Sequence, residues 1–227
     1  VQVEPGDATL SAAIAAANDG DVLVLQDGGE YRETDPTVLP IVVDGIKLTI
    51  KAEDGYTTRP KVSFPAIPSG GSTAEETFGF ELSECNFTVQ GLEFNGGMAD
   101  TSQYKAMTAM FNISWQTTLQ MIDKITIDDC YIHHVFWPWG RVIHGESGDH
   151  GSAFVGVDSC IIKNSLFYRA PKVLITKNAI LNYLWAENNT FWVNERRAIR
   201  AEDRGNGSNP EIHIVHNTFY GFNTRPI

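Results

Sequence analysis

No run of 18 apolar residues occurs anywhere in the 227-residue sequence, so no segment reads as a helix able to cross a membrane. Cysteine is scarce. The three present, Cys85, Cys130 and Cys160, fall at unrelated positions of the repeat described below. That placement marks them as small buried apolar residues, not as a disulfide framework or a metal set. Basic charge is scarce at first: residues 1–100 carry 17 acidic and 5 basic side chains, and the whole chain has a net charge of −11. Such a balance excludes nonspecific nucleic-acid binding. Residues 163–204 reverse the sign with 8 basic and 4 acidic side chains, which leaves a local basic face for an acidic ligand. A nucleophile elbow, a phosphate loop and a Cys/His catalytic pair are absent. Val1 stands in what reads as mature sequence, with no signal peptide visible.

What the sequence does have is a repeat. Ile212-His-Ile-Val-His-Asn-Thr-Phe219 matches Leu184–Phe191, Cys160–Phe167, Ile125–Ile132 and Phe87–Phe94. Each copy is apolar at positions one, three and eight. Alternation at the first positions is the period-two signature of a strand. Position five holds Gly91, Asp129, Asn164, Asn188 and His216, mostly residues that tolerate a left-handed bend. The position-eight residues 94, 132, 167, 191 and 219 give periods of 38, 35, 24 and 28. Periods of about 20 to 50 indicate solenoids or propellers. A propeller blade needs repeated hairpins, and none is visible. The spacing therefore predicts an all-β chain, a right-handed parallel β-helix in which stacking of coils supplies the core.

One domain over 1–227 is expected. A capping helix at 7–20, with Asp7 or Thr9 as its cap, covers the first coil, and coils fill 21–227 with inserted loops near 98–121 and 133–151. No closing segment is visible after Phe219. Either the chain belongs to a longer protein, or further domains or self-stacking subunits cover the C-terminal end.

Position nine, directed outward, holds Asn95, His133, Tyr168, Trp192 and Tyr220. Equal positions of a solenoid stack about 4.8 Å apart. His133, Tyr168, Trp192 and Tyr220 would form a flat strip, joined by Trp137 and Trp139, and aromatic faces suit the apolar faces of sugar rings. A loop packed over the strip is the alternative. His133, His134, His144 and His150 lack metal-ligand spacing, and His133 and His134 would point to opposite faces of a strand, so no metal site is expected. Lys177 and Arg200 lie on successive coils and could serve as base and carboxylate neutraliser in an elimination.

Several stretches carry a family resemblance: Gly20-Asp-Val-Leu-Val-Leu25, Gly28-Gly-Glu-Tyr31, Leu48-Thr-Ile-Lys-Ala52, Val173-Leu-Ile-Thr-Lys-Asn178, Asn188-Asn-Thr-Phe191 and Ala198-Ile-Arg200. They resemble the chondroitinase B and alginate lyase family of β-helix polysaccharide lyases. The resemblance implies Lys177 and Arg200 as catalytic residues of β-elimination on an acidic polysaccharide. Asn178 stands where the family has Ser, and Ala201-Glu202 where it has His-Gly. Ala170 and Lys172 occupy the family's calcium-ligand positions, so no cofactor is expected, with calcium the one alternative the resemblance leaves open. With the motif degenerate, the sequence favours a noncatalytic extracellular module: a structural or adhesive unit of a secreted or cell-surface assembly that contacts glycans. The alternative is an active polysaccharide lyase.

Overall fold

The computed structural model describes residues 1–33, 35, 39–64, 67–68, 78–97, 104–105, 109–113, 121–135, 140–146, 156–177, 179–192, 197–202 and 210–221, with the backbone alone at 67–68, 104–105, 146, 177 and 202. Three parallel sheets form the faces of a β-helix. The first stacks Gln2–Val3, Val22–Leu25, Lys47–Ala52, Asn86–Gln90, Met121–Asp128, Gly156–Lys163, Ile180–Glu187 and Glu211–Val215. The second stacks Gly6–Asp7, Glu30–Arg32, Lys61–Ser63, Glu93–Asn95, Tyr131–His133, Leu166–Tyr168, Thr190–Trp192 and Thr218–Tyr220. The third stacks Ile41–Asp44, Phe78–Ser83, Ala109–Ile113, Arg141–Glu146, Lys172–Lys177 and Ile199–Glu202.

Among the described residues, the first two sheets each have eight strands, so the stack extends three strands upstream of the five copies visible in the sequence. Two of the early copies depart from the pattern in turn length: Leu25 leads to Glu30, and Ala52 leads only to Lys61, whereas later copies cross in two residues. The first crosses in two as well, but its strands, Gln2–Val3 and Gly6–Asp7, are too short to show the alternation. The insertion at 98–121 reads in the sequence as strand-like around Ala106–Phe111, and Ala109–Ile113 is a strand of the third sheet; 133–151, expected as a loop, carries another, Arg141–Glu146.

Position five makes the corner between the first and second sheets. Gly91, Asp129, Asn164, Asn188 and His216 all have left-handed φ, from 51° to 72°. Position six then turns inward and satisfies the corner's backbone. Asn189 Nδ2 donates to the Ile162 carbonyl at 2.8 Å, and its Oδ1 accepts the Ser165 amide at 3.0 Å. Ser165 Oγ accepts the Cys130 amide at 3.1 Å, so a polar ladder climbs four coils inside an apolar core. Without it, these buried amides would each cost roughly 1–3 kcal/mol.

Position eight forms the internal column. Tyr31, Val62, Phe94, Ile132, Phe167 and Phe191 are wholly buried and in register, with Phe219 below them. The Phe167 and Phe191 rings stack at 5.2 Å and 9°, and Phe191 and Phe219 at 5.0 Å and 16°. Each buried ring contributes roughly 1.5–3 kcal/mol. Phe80 of the third sheet joins a second cluster, touching Phe64, Phe87, Phe94 and Phe111. Cys85, Cys130 and Cys160 are free and buried as expected, and burial pushes each thiol up to about 12, which keeps it inert.

The N-terminal helix runs over Thr9–Ala15, shorter than the expected 7–20. It occupies the place a third-sheet strand would take in the first coil, after Gly6–Asp7 and against Ile41–Asp44. Leu10 and Ile14 are its buried face. Neither Asp7 nor Thr9 caps it: the cap position is Ala8, in left-handed conformation. The cap comes from a distant residue. Buried Glu33 accepts the Leu10 and Ser11 amides through Oε1 at 3.1 and 3.2 Å. At the other end, Ile212 is 43% exposed, while its counterpart Leu184 is wholly buried.

Candidate functional site

The outer face of the second sheet carries position nine. Register places His133, Tyr168, Trp192 and Tyr220 on consecutive coils. Tyr168 and Trp192 are 5.1 Å apart at 75°, and Trp192 and Tyr220 5.3 Å apart at 86°. Successive rings therefore stand nearly perpendicular, and the expected flat strip is a ladder of alternating faces and edges. Trp192 is 43% and Tyr220 61% exposed. Trp137 and Trp139 lie outside the described residues.

His133 does not belong to the exposed part. It is 6% exposed and sits in a polar cluster at the ladder's upper end. Its Nε2 is 3.0 Å from Glu93 Oε1, its Nδ1 faces His134 Nδ1, and its ring stacks on Tyr131 at 4.4 Å. Lys61 Nζ approaches the same Glu93 oxygen at 4.0 Å. Burial lowers the pKa of both histidines. For His134, the positive groups His133, Arg169 and Lys61 lower it further, while Glu93 partly opposes the shift at His133.

The expectation that His133 and His134 diverge is overturned. The strand ends at His133, and His134 has φ 56°, which folds its ring back beside its neighbour at 4.7 Å. Arg169 repeats this geometry one coil later, with φ 50°, and its guanidinium lies 5.5 Å from the Tyr168 ring centre. Sequence reasoning missed Glu93, His134 and Arg169 as a group. Alternation is a rule for strands and fails where the chain turns. Position ten reads Gly96, His134, Arg169, Val193 and Gly221; His134, Arg169 and Gly221 have positive φ and Gly96 does not, so this position gives no uniform signal.

The third sheet holds the other candidates. Lys177 is in register with Glu146 and Glu202, and Arg200 with Ile175. Lys177 and Arg200 thus stand on adjacent strands, two residues out of register. With strands about 4.8 Å apart and a rise of about 3.3 Å per residue, such diagonal positions lie roughly 8 Å apart along the backbone. Arg200 is half-buried. At the positions the resemblance implies for calcium, Ala170 has no side-chain ligand atom, and buried Lys172, a cation, lies in register with Arg141. Among the described residues, no group of three or more His, Cys, Asp or Glu could hold a metal ion.

No family model matches the sequence, and the search of curated proteins finds no match. Among solved structures, the chain is similar to the PL6 family alginate lyase AlyGC, with a TM-score of 0.50 and 17% identity over 99% of this chain and 36% of that one. A point mutant of the same enzyme gives 0.49 and 16% over the same shares. The chain spans about a third of the length of the structures it matches. It shares with these polysaccharide lyases the parallel β-helix fold.

Proposed function

We propose that this chain is a noncatalytic extracellular β-helix module, a structural or adhesive unit of a secreted or cell-surface assembly, whose second sheet contacts glycans. The observation that carries the reading is the ladder Tyr168–Trp192–Tyr220, half-buried at Tyr168 and exposed at Trp192 and Tyr220. Large aromatic rings held outward by a rigid sheet cost little entropy on binding, and their apolar surface matches the C–H face of a sugar. Arg169 at the upper end adds a cation for a carboxylate. On the third sheet, register sets Lys177 beside Glu146 and Glu202 on the neighbouring strands. Glycan titration by calorimetry tests the reading. Trp192→Ala should weaken binding about tenfold, the equivalent of 1.4 kcal/mol. Equal binding by the variant sinks the assignment of the ladder.

A second reading is a polysaccharide lyase, with Lys177 as base and Arg200 as neutraliser of the substrate carboxylate. It is favoured by the diagonal placement of the two residues on one sheet. Release of unsaturated products separates it from the first.

A further inference from the structure

The Glu93–His133–His134 chain has a definite proton arrangement. Glu93 accepts, so His133 Nε2 carries the hydrogen at that 3.0 Å contact. Neutral His133 then has a bare Nδ1, and His134 must donate to it from its own Nδ1. The Nε2 of His134 is consequently left with a lone pair. A proton arriving there keeps both hydrogen bonds, and its charge is offset along the chain by the Glu93 carboxylate.

The surroundings fix what such a proton would meet. His134 and Arg169 occupy the same repeat position on consecutive coils, with amides donating to the carbonyls of Tyr168 and Trp192 one coil further on. Equal positions lie about 4.8 Å apart. The Tyr168 ring stands edge-on to His134 at 5.9 Å. The charged and titratable groups facing the pair are Lys61 and Glu93 from the two preceding coils, Tyr131 from its own strand, and Tyr168 and Arg169 from the next. Of these, Arg169 is exposed, and His134 is half-buried.

We propose that His134 Nε2 takes up one proton from solvent when a carboxylate-bearing glycan binds at the Tyr168 end of the ladder, so that His134 and Arg169 together clamp the carboxylate. The site then prefers uronate glycans in acid and loses that preference at neutral pH, while stacking on the rings below is indifferent to pH. This rests on the glycan-contact reading of the same ladder and adds a ligand class and its control.

The test is calorimetric titration of the whole chain with oligogalacturonate and, separately, with a neutral cello-oligosaccharide, at about pH 5 and about pH 7.5, the range in which an imidazole changes charge. A uronate carboxylate stays ionised across that range. Oligogalacturonate should bind about tenfold more tightly in acid, a gain absent in His134→Asn, a residue that tolerates the left-handed backbone. Near pH 6.5, its binding heat should also vary with the ionisation heat of the buffer, which reads proton uptake directly and which a merely structural histidine would not produce. Uronate binding that is equal at both pH values, or a gain that survives in His134→Asn, overturns this inference and leaves the glycan surface standing. Binding of neither oligosaccharide at either pH overturns both.

Discussion

Asn189 donates from its Nδ2 and from its backbone amide to one acceptor, the Asn217 Oδ1, each at 2.9 Å. The same residue closes the Ser165 amide and the Ile162 carbonyl of the coil above. Asn189→Ala removes all the side-chain bonds at once and leaves buried partners unsatisfied. A loss of about 2–4 kcal/mol is expected in urea unfolding, since each orphaned group costs roughly 1–3 kcal/mol. Loss below half a kcal/mol would mean that the ladder does not hold the corners.

Gly91 tests the corner in another way. Its φ is +72°, and an added Cβ would stand 2.9 Å from Tyr56 Cε1 and 3.1 Å from Ala52 Cβ. Tyr56 is held in turn by its hydroxyl, which donates to Asp129 Oδ2. Gly45, at φ +67°, has open space around it. Gly45→Ala should therefore cost only the backbone penalty of about 1–2 kcal/mol, and Gly91→Ala measurably more. Equal shifts of the unfolding midpoint would contradict the packing of Tyr56 against this corner.

These corners also show how much of the molecule was legible. The left-handed residues at position five and the apolar residues at positions one, three and eight are local features, and they revealed the coils from Phe87 onward. Before Phe87, single strands such as Asp21–Leu25 and Ile46–Ile50 are legible but the repeat is not, because turn length is set by what a turn packs on, as the long Ala52–Lys61 crossing, with Tyr56 against Gly91, illustrates. The ladder residues Tyr168, Trp192 and Tyr220 follow from register alone. Glu93 against His133, and Glu33 against Leu10, are contacts between coils at unequal repeat positions, and no spacing in one sequence announces them.

Glu33 supplies the next expectation. The helix Thr9–Ala15 has no side-chain cap of its own, and Glu33 alone satisfies two of its first amides. Glu33→Ala should lower stability by about 1–2 kcal/mol, the range of a lost cap, and should raise hydrogen exchange first in the helix. Unchanged exchange at Leu10 and Ser11 would show that the cap is dispensable.

The paired histidines predict a pH dependence. Both are depressed below their ordinary value, chiefly by burial. The unfolded chain therefore takes up protons that the folded chain declines. Stability is full above about pH 7 and falls as the pH drops through 6.5, by up to about 1.4 kcal/mol per unit for each histidine, until the folded values are passed. In His133→Gln this slope should flatten. An identical slope in both proteins, followed by urea midpoints between about pH 7.5 and 5, would assign the effect to other groups.

The central claim is a β-helix that contacts glycans without cleaving them. The direct measurement is ultraviolet absorbance of unsaturated sugar during incubation with alginate, chondroitin or dermatan sulfate, and pectate. The account predicts a flat trace with every substrate, matched by Lys177→Ala. A rise in absorbance that disappears in Lys177→Ala would contradict it and establish the lyase.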